Sequence, residues 1–295
     1  MNNPVVLTIL VENSVYNRGL MAEHGLAFHI QAGEISMLFD TGQSALLSLN
    51  AKTLGIDLSR LQAVALSHGH YDHTGGLCAI SELAPGAPLY AHPAALTPRF
   101  ARNSDGTTRA VGISESSLAV IQAHPSQMQL KNGMAEVLPG FYLTGEIPRL
   151  TGFEDVGGPF ALDAAGTQFD AITDDQALFF DTRDGVVVLL GCAHAGVVNT
   201  LRYIRRLTHD RPIHAVLGGM HLLNADPERM LLTAQALQEL GVQKLGPAHC
   251  TGPAATGRLW HEFSKACVSC AVGSRFLFPP IKPAQSFSPH HFDHS

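Results

Sequence analysis

Long apolar runs are missing from this chain. No stretch approaches the length of about 20 residues that a membrane-spanning helix needs, so no membrane association is expected. The start, Met1-Asn2-Asn3-Pro4, lacks a positively charged segment, and the apolar run Val5 to Val11 stops at Glu12. That is the pattern of a strand rather than of a secretory signal. Basic blocks are missing too. Lys and Arg number 19 against 25 Asp and Glu, for a formal net charge of −6. A phosphate-tracking surface for nucleic acid is therefore not expected, although one local site can still be basic. Cysteine is sparse and irregular: Cys78, Cys192, Cys250, Cys267 and Cys270. An odd count without a framework spacing predicts reduced thiols and a cytoplasmic protein. Cys267-Val268-Ser269-Cys270 has no second pair and lies in an apolar segment, so it reads as core rather than as a redox or zinc site. Apolar residues reach 45%, enough for a sizeable core.

What the chain has is histidine in one dense run. Leu66-Ser67-His68-Gly69-His70-Tyr71-Asp72-His73-Thr74-Gly75-Gly76-Leu77 follows the apolar segment Ala63 to Leu66 and holds three imidazoles and one carboxylate within six residues. Imidazole is the commonest protein ligand for zinc and related ions, and a carboxylate extends the set. In an extended segment His68 and His70 point the same way and grip one ion. Asp72 and His73 follow in the loop and turn toward a second. Two ions about 3.5–4 Å apart share a water and hold it as hydroxide near neutral pH. The bland alternative is a His-rich surface loop without metal. Gly69 lets the backbone approach closely, and Gly75-Gly76 permits a sharp exit into the next helix.

The same organisation recurs along the chain. Val5 to Val11, Leu26 to Ile30, Ile35 to Phe39 and Leu61 to Leu66 read as strands; Ala45 to Leu54 and Leu77 to Leu83 read as helices. Ala177 to Phe180 and Val186 to Leu190 are strands joined by a turn at Arg183-Asp184-Gly185, and the second delivers Gly191-Cys192-Ala193-His194. A helix over Val197 to Leu207 follows. Ile213 to Leu217 delivers His221, Pro227 to Leu240 is a helix with Asp226 as N-cap, and Val242 to Leu245 delivers His249. Strands ending in His-bearing loops and followed by helices describe an α/β sandwich with its site along one sheet edge. Residues 97–115 are polar and turn-rich, too long for a connector, and are expected to form a lid. Arg99, Arg102, Arg109 and Arg149 are candidates to bind an anionic small-molecule substrate, since guanidinium matches phosphate in a bidentate way; taken singly, each also reads as a surface charge. From Pro279 onward the His-rich tail is expected to be disordered and solvated.

His68-Gly69-His70-Tyr71-Asp72-His73 resembles the signature of the metallo-β-lactamase superfamily, and Phe39-Asp40-Thr41-Gly42 resembles its strand-end Asp. Glu23-His24-Gly25-Leu26-Ala27-Phe28, Thr144-Gly145-Glu146-Ile147-Pro148-Arg149, Gly191-Cys192-Ala193-His194-Ala195-Gly196, Gly218-Gly219-Met220-His221-Leu222 and His249-Cys250-Thr251-Gly252 are similar to the branch named after the dihydropterin–ribofuranosylaminobenzene phosphate synthases of methanopterin biosynthesis. The resemblance implies a four-layer αββα sandwich using residues 1–278 as a single domain, with Asp40 orienting a ligand histidine from behind. It also implies a third His, a bridging Asp and a last His to complete the ligands. His249 matches the last of these. Glu146 stands where the third His would be, its alternative being an ion pair with Arg149. Cys192 stands where the bridging Asp would be, with His194 two residues on. Strand alternation would turn Cys192 and His194 to one side, so either or both are candidate ligands, although a buried Cys is most often a small core residue. His221 is open between a ligand, a proton donor and a packed neighbour. The expected metal is zinc, as one or two ions, with iron or manganese also compatible. The expected activity is hydrolysis of a phosphoester, ester or lactone, with Asp72 positioning the nucleophile and His221 protonating the leaving group. The alternatives are a synthase that releases pyrophosphate, as the branch name implies, and a non-catalytic metal or ligand sensor. Oligomeric state is not legible.

Overall fold

The β-branched and aromatic runs form two stacked sheets, and the amphipathic segments cover their outer faces. The computed structural model describes residues 3–282. Among them, a seven-stranded sheet carries Arg275–Phe278, Val5–Val11, Ala27–Ala32, Ile35–Phe39, Ala63–Ala65, Leu89–Ala91 and Met128–Leu130 in that spatial order. A six-stranded sheet carries Lys244–Ala248, Ile213–Gly219, Gly185–Leu190, Leu178–Thr182, Phe141–Leu143 and Ala135–Leu138. Each sheet is mixed. In the first, the neighbours from Ile35–Phe39 outward to Met128–Leu130 run parallel. In the second, Gly185–Leu190, Ile213–Gly219 and Lys244–Ala248 run parallel.

Strand alternation sorts the side chains into three cores. Val187 and Leu189 point between the sheets, where they meet Phe28, Phe39, Phe141 and Phe180. Val186, Val188 and Leu190 point outward against Val198, Leu201 and Ile204 of the helix Val197–Leu207 and against Leu237 and Leu259. On the far side, Leu38, Val64 and Leu89 pack on Leu47 of the helix Leu46–Thr53, on Leu77 and Ile80, and on Ile121. Three cores between four layers make the αββα sandwich, as expected. No helix among the described residues is long and apolar enough to cross a membrane.

Two local expectations change. The stretch 97–115 contains the hairpin Phe100–Arg102 and Thr108–Ala110, which joins Phe160–Ala161 in a three-stranded sheet. It is tied to the histidine-rich loop after Ala63–Ala65: Tyr71 N donates to the Val111 carbonyl at 3.1 Å, and His70 bridges to Gly112. Order also continues past Pro279. Ile281 is buried and pairs with Thr182, and Lys282 N donates to the Asp181 carbonyl. The remaining His-rich tail lies outside the described residues.

Candidate metal centre

The loops that carry chemistry leave the carboxyl ends of strands on one edge of both sheets. Glu12 and Asn13 follow Val5–Val11, Asp40 follows Ile35–Phe39, and the run from Ser67 follows Ala63–Ala65. From the second sheet come Cys192 and His194 after Gly185–Leu190, His221 after Ile213–Gly219, and His249 after Lys244–Ala248. Backbone conformation is forced here. Asp40, Ala193, His221 and His249 all have φ between 46° and 62°, a left-handed region that L residues seldom adopt and that collects at functional sites. At Gly69 a Cβ would fall 2.1 Å from the Ala95 carbonyl oxygen, so the close approach read from the sequence requires glycine.

The imidazoles converge. Ring centroids of His68 lie 4.5 Å from His70, 4.3 Å from His73 and 4.8 Å from His194. His73 and His249 are 5.0 Å apart, and His194 and His221 are 4.3 Å apart. Four of these rings are anchored at Nδ1 by an acceptor. His73 Nδ1 meets Asp40 Oδ2 at 2.7 Å, His194 Nδ1 meets the Val156 carbonyl at 2.8 Å, and His249 Nδ1 meets Asn13 Oδ1 at 2.9 Å. His68 Nδ1 meets Ser67 Oγ at 2.8 Å, and that hydroxyl already donates to Asp40 at 2.7 Å. In a neutral ring an acceptor at Nδ1 fixes that nitrogen as the donor and leaves the lone pair on Nε2; Nε2 of His68 meets His70 Nδ1 at 2.9 Å. Nε2 of His194 and of His70 are buried without a hydrogen-bond partner. Buried imidazole nitrogens of that kind could serve a metal ion as ligands, since leaving them unmet is costly.

The ligand atoms fall into overlapping groups, each with all its atoms within 4.8 Å of one another: His68, Cys192 and His194; His73, Cys192 and His249; Cys192, His221 and Cys250; His24, Asp72 and His249. Electrostatics keeps His68, His70 and His194 neutral beside a charged carboxylate, with His73 the exception. Burial, reinforced by the neighbouring imidazoles, holds His68 and His194 far below the ordinary histidine range, and burial takes His70 to about 3. Asp72 resists burial through His73, His24 and His249 and stays ionised, well below the ordinary carboxylate range. For His73, burial is likewise outweighed, by Asp40 and Asp72, and it rises to about 9. Burial pushes the Cys192 thiol up, with Cys250 adding to it.

The sequence-derived candidates separate in the structure. His68, His70, Asp72, His73, Cys192, His194 and His249 come together, with Asp40 behind them and His221 at the margin. Glu146 does not join. It is exposed, its N–H donates to the Asn132 carbonyl at 2.8 Å, and its charge acts on His92 rather than on the cluster. Nor does Arg149 pair with it. That guanidinium donates to the carbonyls of His194 at 2.9 Å and Ile172 at 3.0 Å and to that of Ala171, so it clamps the His194 loop from the cavity side. Arg99 is 2% exposed and ion-paired with Asp170 and Asp174, which removes it from substrate binding. Arg102 donates to the Gly166 carbonyl, and Arg109 is exposed and donates to Asn103 Oδ1 at 2.7 Å. Cys192 and His194 both face the cluster, but not by strand alternation. The strand ends at Leu190, and the left-handed Ala193 between them turns both inward. Cys267 and Cys270 sit in the apolar cores, as read from the sequence.

Several participants carried no local signal. His24 Nε2 lies 3.1 Å from Asp72 Oδ2, beside His249 Nε2 at 3.2 Å; only its place in a family-like segment set it apart. Cys250 is the neighbour of His249 and donates to the Cys192 carbonyl at 3.6 Å. Asp174 Oδ2 accepts the Gly69 N–H at 2.7 Å and Asp175 Oδ2 accepts that of Ala195 at 2.8 Å. The adjacent Gln176 donates to the Leu66 carbonyl at 2.9 Å, so one short segment braces both the His68–His73 loop and the Cys192–His194 loop. Paired acids just before a strand were the available hint.

Beside the cluster a cavity of about 640 Å³ opens past His221, lined by Arg149, Phe169, Asn224 and Arg229. Burial, with His249 and Arg229 adding to it, takes His221 down to about 4. On the other side, a cavity of about 480 Å³ reaches His249 between Tyr16 and Trp260.

Comparison with known proteins bears on this arrangement. The family model of the metallo-beta-lactamase superfamily matches residues 22–203. The chain belongs to this superfamily. It is 30% identical over 275 residues to a 7,8-dihydropterin-6-methyl-4-(beta-D-ribofuranosyl)-aminobenzene-5'-phosphate synthase of Methanocaldococcus jannaschii, covering 90% of this chain and 93% of that protein. An uncharacterized protein of the same organism is 27% identical, over 86% of this chain and 93% of its own length. Among solved structures, a metal-dependent hydrolase of the beta-lactamase superfamily superposes with a TM-score of 0.78 at 30% identity, covering 94% of this chain and all of that one. A diphosphatase of the PhnP family, 14% identical with a TM-score of 0.53, covers 94% of this chain and 99% of its own and shares the fold.

Proposed function

We propose that this chain is a metal-dependent hydrolase that activates water against a phosphoester, ester or lactone carried by an anionic small molecule. The observation that carries this reading is the set of imidazoles held at Nδ1 with their Nε2 atoms turned to one buried place. His68, His70 and His194 would hold one divalent ion, and Asp72, His73 and His249 a second, with zinc the first choice and iron or manganese compatible with the donors. When bound, such ions lower the pKa of water toward neutrality and polarise substrate oxygens. The protein's own groups do the rest. Asp72, ionised and 3.1 Å from His24 Nε2, is placed to accept a hydrogen bond from the attacking water and so aim it. His221 borders the cavity and is neutral at pH 7. It therefore serves the leaving oxygen as a neutral N–H donor rather than as a standing imidazolium. Arg149 holds the His194 loop rigid while lining the same cavity. The hairpin over 100–110 shields the His70 side as a fixed wall hydrogen-bonded to the metal loop.

A second reading is a transferase that releases pyrophosphate. It is supported by the 30% identity to the synthase over 90% of the chain, and by a second cavity on the His249 side with two exposed aromatics, Tyr16 and Trp260. Two openings suit two substrates. One experiment separates the readings. Metal-free protein reloaded with zinc or manganese is assayed against phosphodiesters, esters and lactones, and separately for pyrophosphate release from an aryl-methyl diphosphate with an aromatic amine acceptor. Hydrolysis that vanishes in His68→Ala and in the metal-free protein supports the first reading. Amine-dependent pyrophosphate release supports the second. Tight metal uptake with neither activity would support a sensor and overturn both.

A further inference from the structure

Cys192 belongs to both imidazole sets. Its Sγ groups with the ligand nitrogens of His68 and His194 on one side and with those of His73 and His249 on the other, every atom within 4.8 Å of its group. Sγ lies 3.2 Å from His73 Nε2. The other buried cysteines differ. Cys267 and Cys270 are members of the apolar cores, whereas Cys192, 3% exposed, belongs to none of the three. Its position is also held open by its surroundings. At Gly219 a Cβ would lie 2.4 Å from the Gly191 carbonyl oxygen, 2.6 Å from Cys250 Sγ and 3.3 Å from Cys192 Cα. Glycine there lets the neighbouring strand end close on the Cys192 loop. Ala193 at φ 54° turns Cys192 and His194 inward together.

Charge asks for what a thiolate supplies. Across the metal-ligand groups of the described residues, Asp72 is the one carboxylate among imidazoles and thiols. Two buried divalent ions beside a single carboxylate would leave a large uncompensated charge. A second anion placed between the two nitrogen sets lowers that charge for both ions at once. Sulfur carries lone pairs for two bonds and reaches zinc at about 2.3 Å.

Resting on the metallohydrolase reading above, we infer that Cys192 bridges the two metal positions as a thiolate, serving both the His68–His194 and the His73–His249 sides. The thiol gives its proton to water as the ions enter, so uptake of metal at this residue releases one proton.

Cobalt(II) loading of the full-length chain tests this by a readout other than turnover. Metal-free protein is titrated with cobalt while the sulfur-to-cobalt charge-transfer absorption in the near ultraviolet is followed, and bound metal is counted after dialysis. The wild type should develop the absorption over both equivalents. Cys250→Ser should do the same. Cys192→Ser should lose the absorption and hold its ions at least about tenfold more weakly at both positions, the size of effect seen when a metal site's supports are removed. Cys192→Asp restores a bridging anion and should regain two-ion binding without the absorption, which also guards against a serine variant that merely folds poorly. The inference fails if Cys192→Ser keeps the absorption. It also fails if the absorption is complete at the first equivalent and that variant keeps one ion at wild-type affinity, since Cys192 would then serve a single ion. Two ions bound without any sulfur absorption sink the bridge alone. No cobalt bound at all sinks the metallohydrolase reading with it.

Discussion

Replacing Asp40 by Asn changes one oxygen into an amide nitrogen and should reach the metal centre through three hydrogen bonds. Asp40 is fully buried, accepts the Ser67 N–H and the Ser67 hydroxyl at 2.7 Å each, and meets His73 Nδ1 at 2.7 Å. An Asn side chain cannot serve all three. With its NH2 toward His73 it drives the ring proton to Nε2, the nitrogen that faces Cys192, and the ring can no longer ligate from that side. With its NH2 reversed it opposes the Ser67 N–H. The magnitude follows from His73. Burial alone would lower it, yet Asp40 first and then Asp72 raise it from 6.5 to about 9, a difference on the order of 3 kcal/mol between protonation states. Because the folded value lies above the unfolded one, this stabilisation is complete below pH 6.5 and disappears as pH rises through about 9. Urea unfolding of metal-free protein in chelator, repeated from pH 6 to 9.5, should show that loss in the wild type. Asp40→Asn should be less stable at pH 6 by about 2–3 kcal/mol, with a flatter profile. Its zinc affinity by chelator competition should fall by about 10- to 100-fold. An unchanged pH slope together with zinc affinity within about twofold of wild type would refute the argument that Asp40 sets the state of His73.

Arg99→Leu removes the cation from between Asp170 and Asp174. The uncompensated buried carboxylates should cost about 3–5 kcal/mol in urea unfolding at neutral pH, and adding Asp174→Asn should recover part of it. His221→Asn keeps a residue that tolerates φ near 46°. Metal content by elemental analysis should hold, while kcat on whichever substrate is turned over falls by about 10²-fold or more; parallel loss of metal would reassign His221 as a ligand. Deleting residues 100–112 should reduce zinc content as well as raise KM, because Val111 and Gly112 pair with the metal loop. Unchanged metal content would return that segment to the status of a detachable lid.

Much of the site was legible because its parts are local. His-x-His-x-Asp-His after an apolar strand places four donors by spacing alone, and the structure brings all four together. The strand at 213–219 and the helix at 197–207 follow from residue type and period. Misreadings arose where a residue's role depends on a partner far along the chain. Arg99 reads as a free charge in a polar stretch, yet it is buried against Asp170 and Asp174, some seventy positions later. Glu146 lies at a strand end near the site in sequence pattern, but the chain turns it to solvent. His24 looks isolated until the loop after the first strand brings it to Asp72.

By itself the sequence determined the two kinds of element, their alternation, and the donors that follow each strand, because periodicity and side-chain type act over a few residues. Only the stacking of two sheets decided which of those donors meet. It brought the carboxyl ends of strands from both sheets to one edge and set Cys192 between two pairs of histidines. That selection rests on packing the faces of Val187 and Leu189 against Phe28 and Phe39, contacts that no local window of the chain contains.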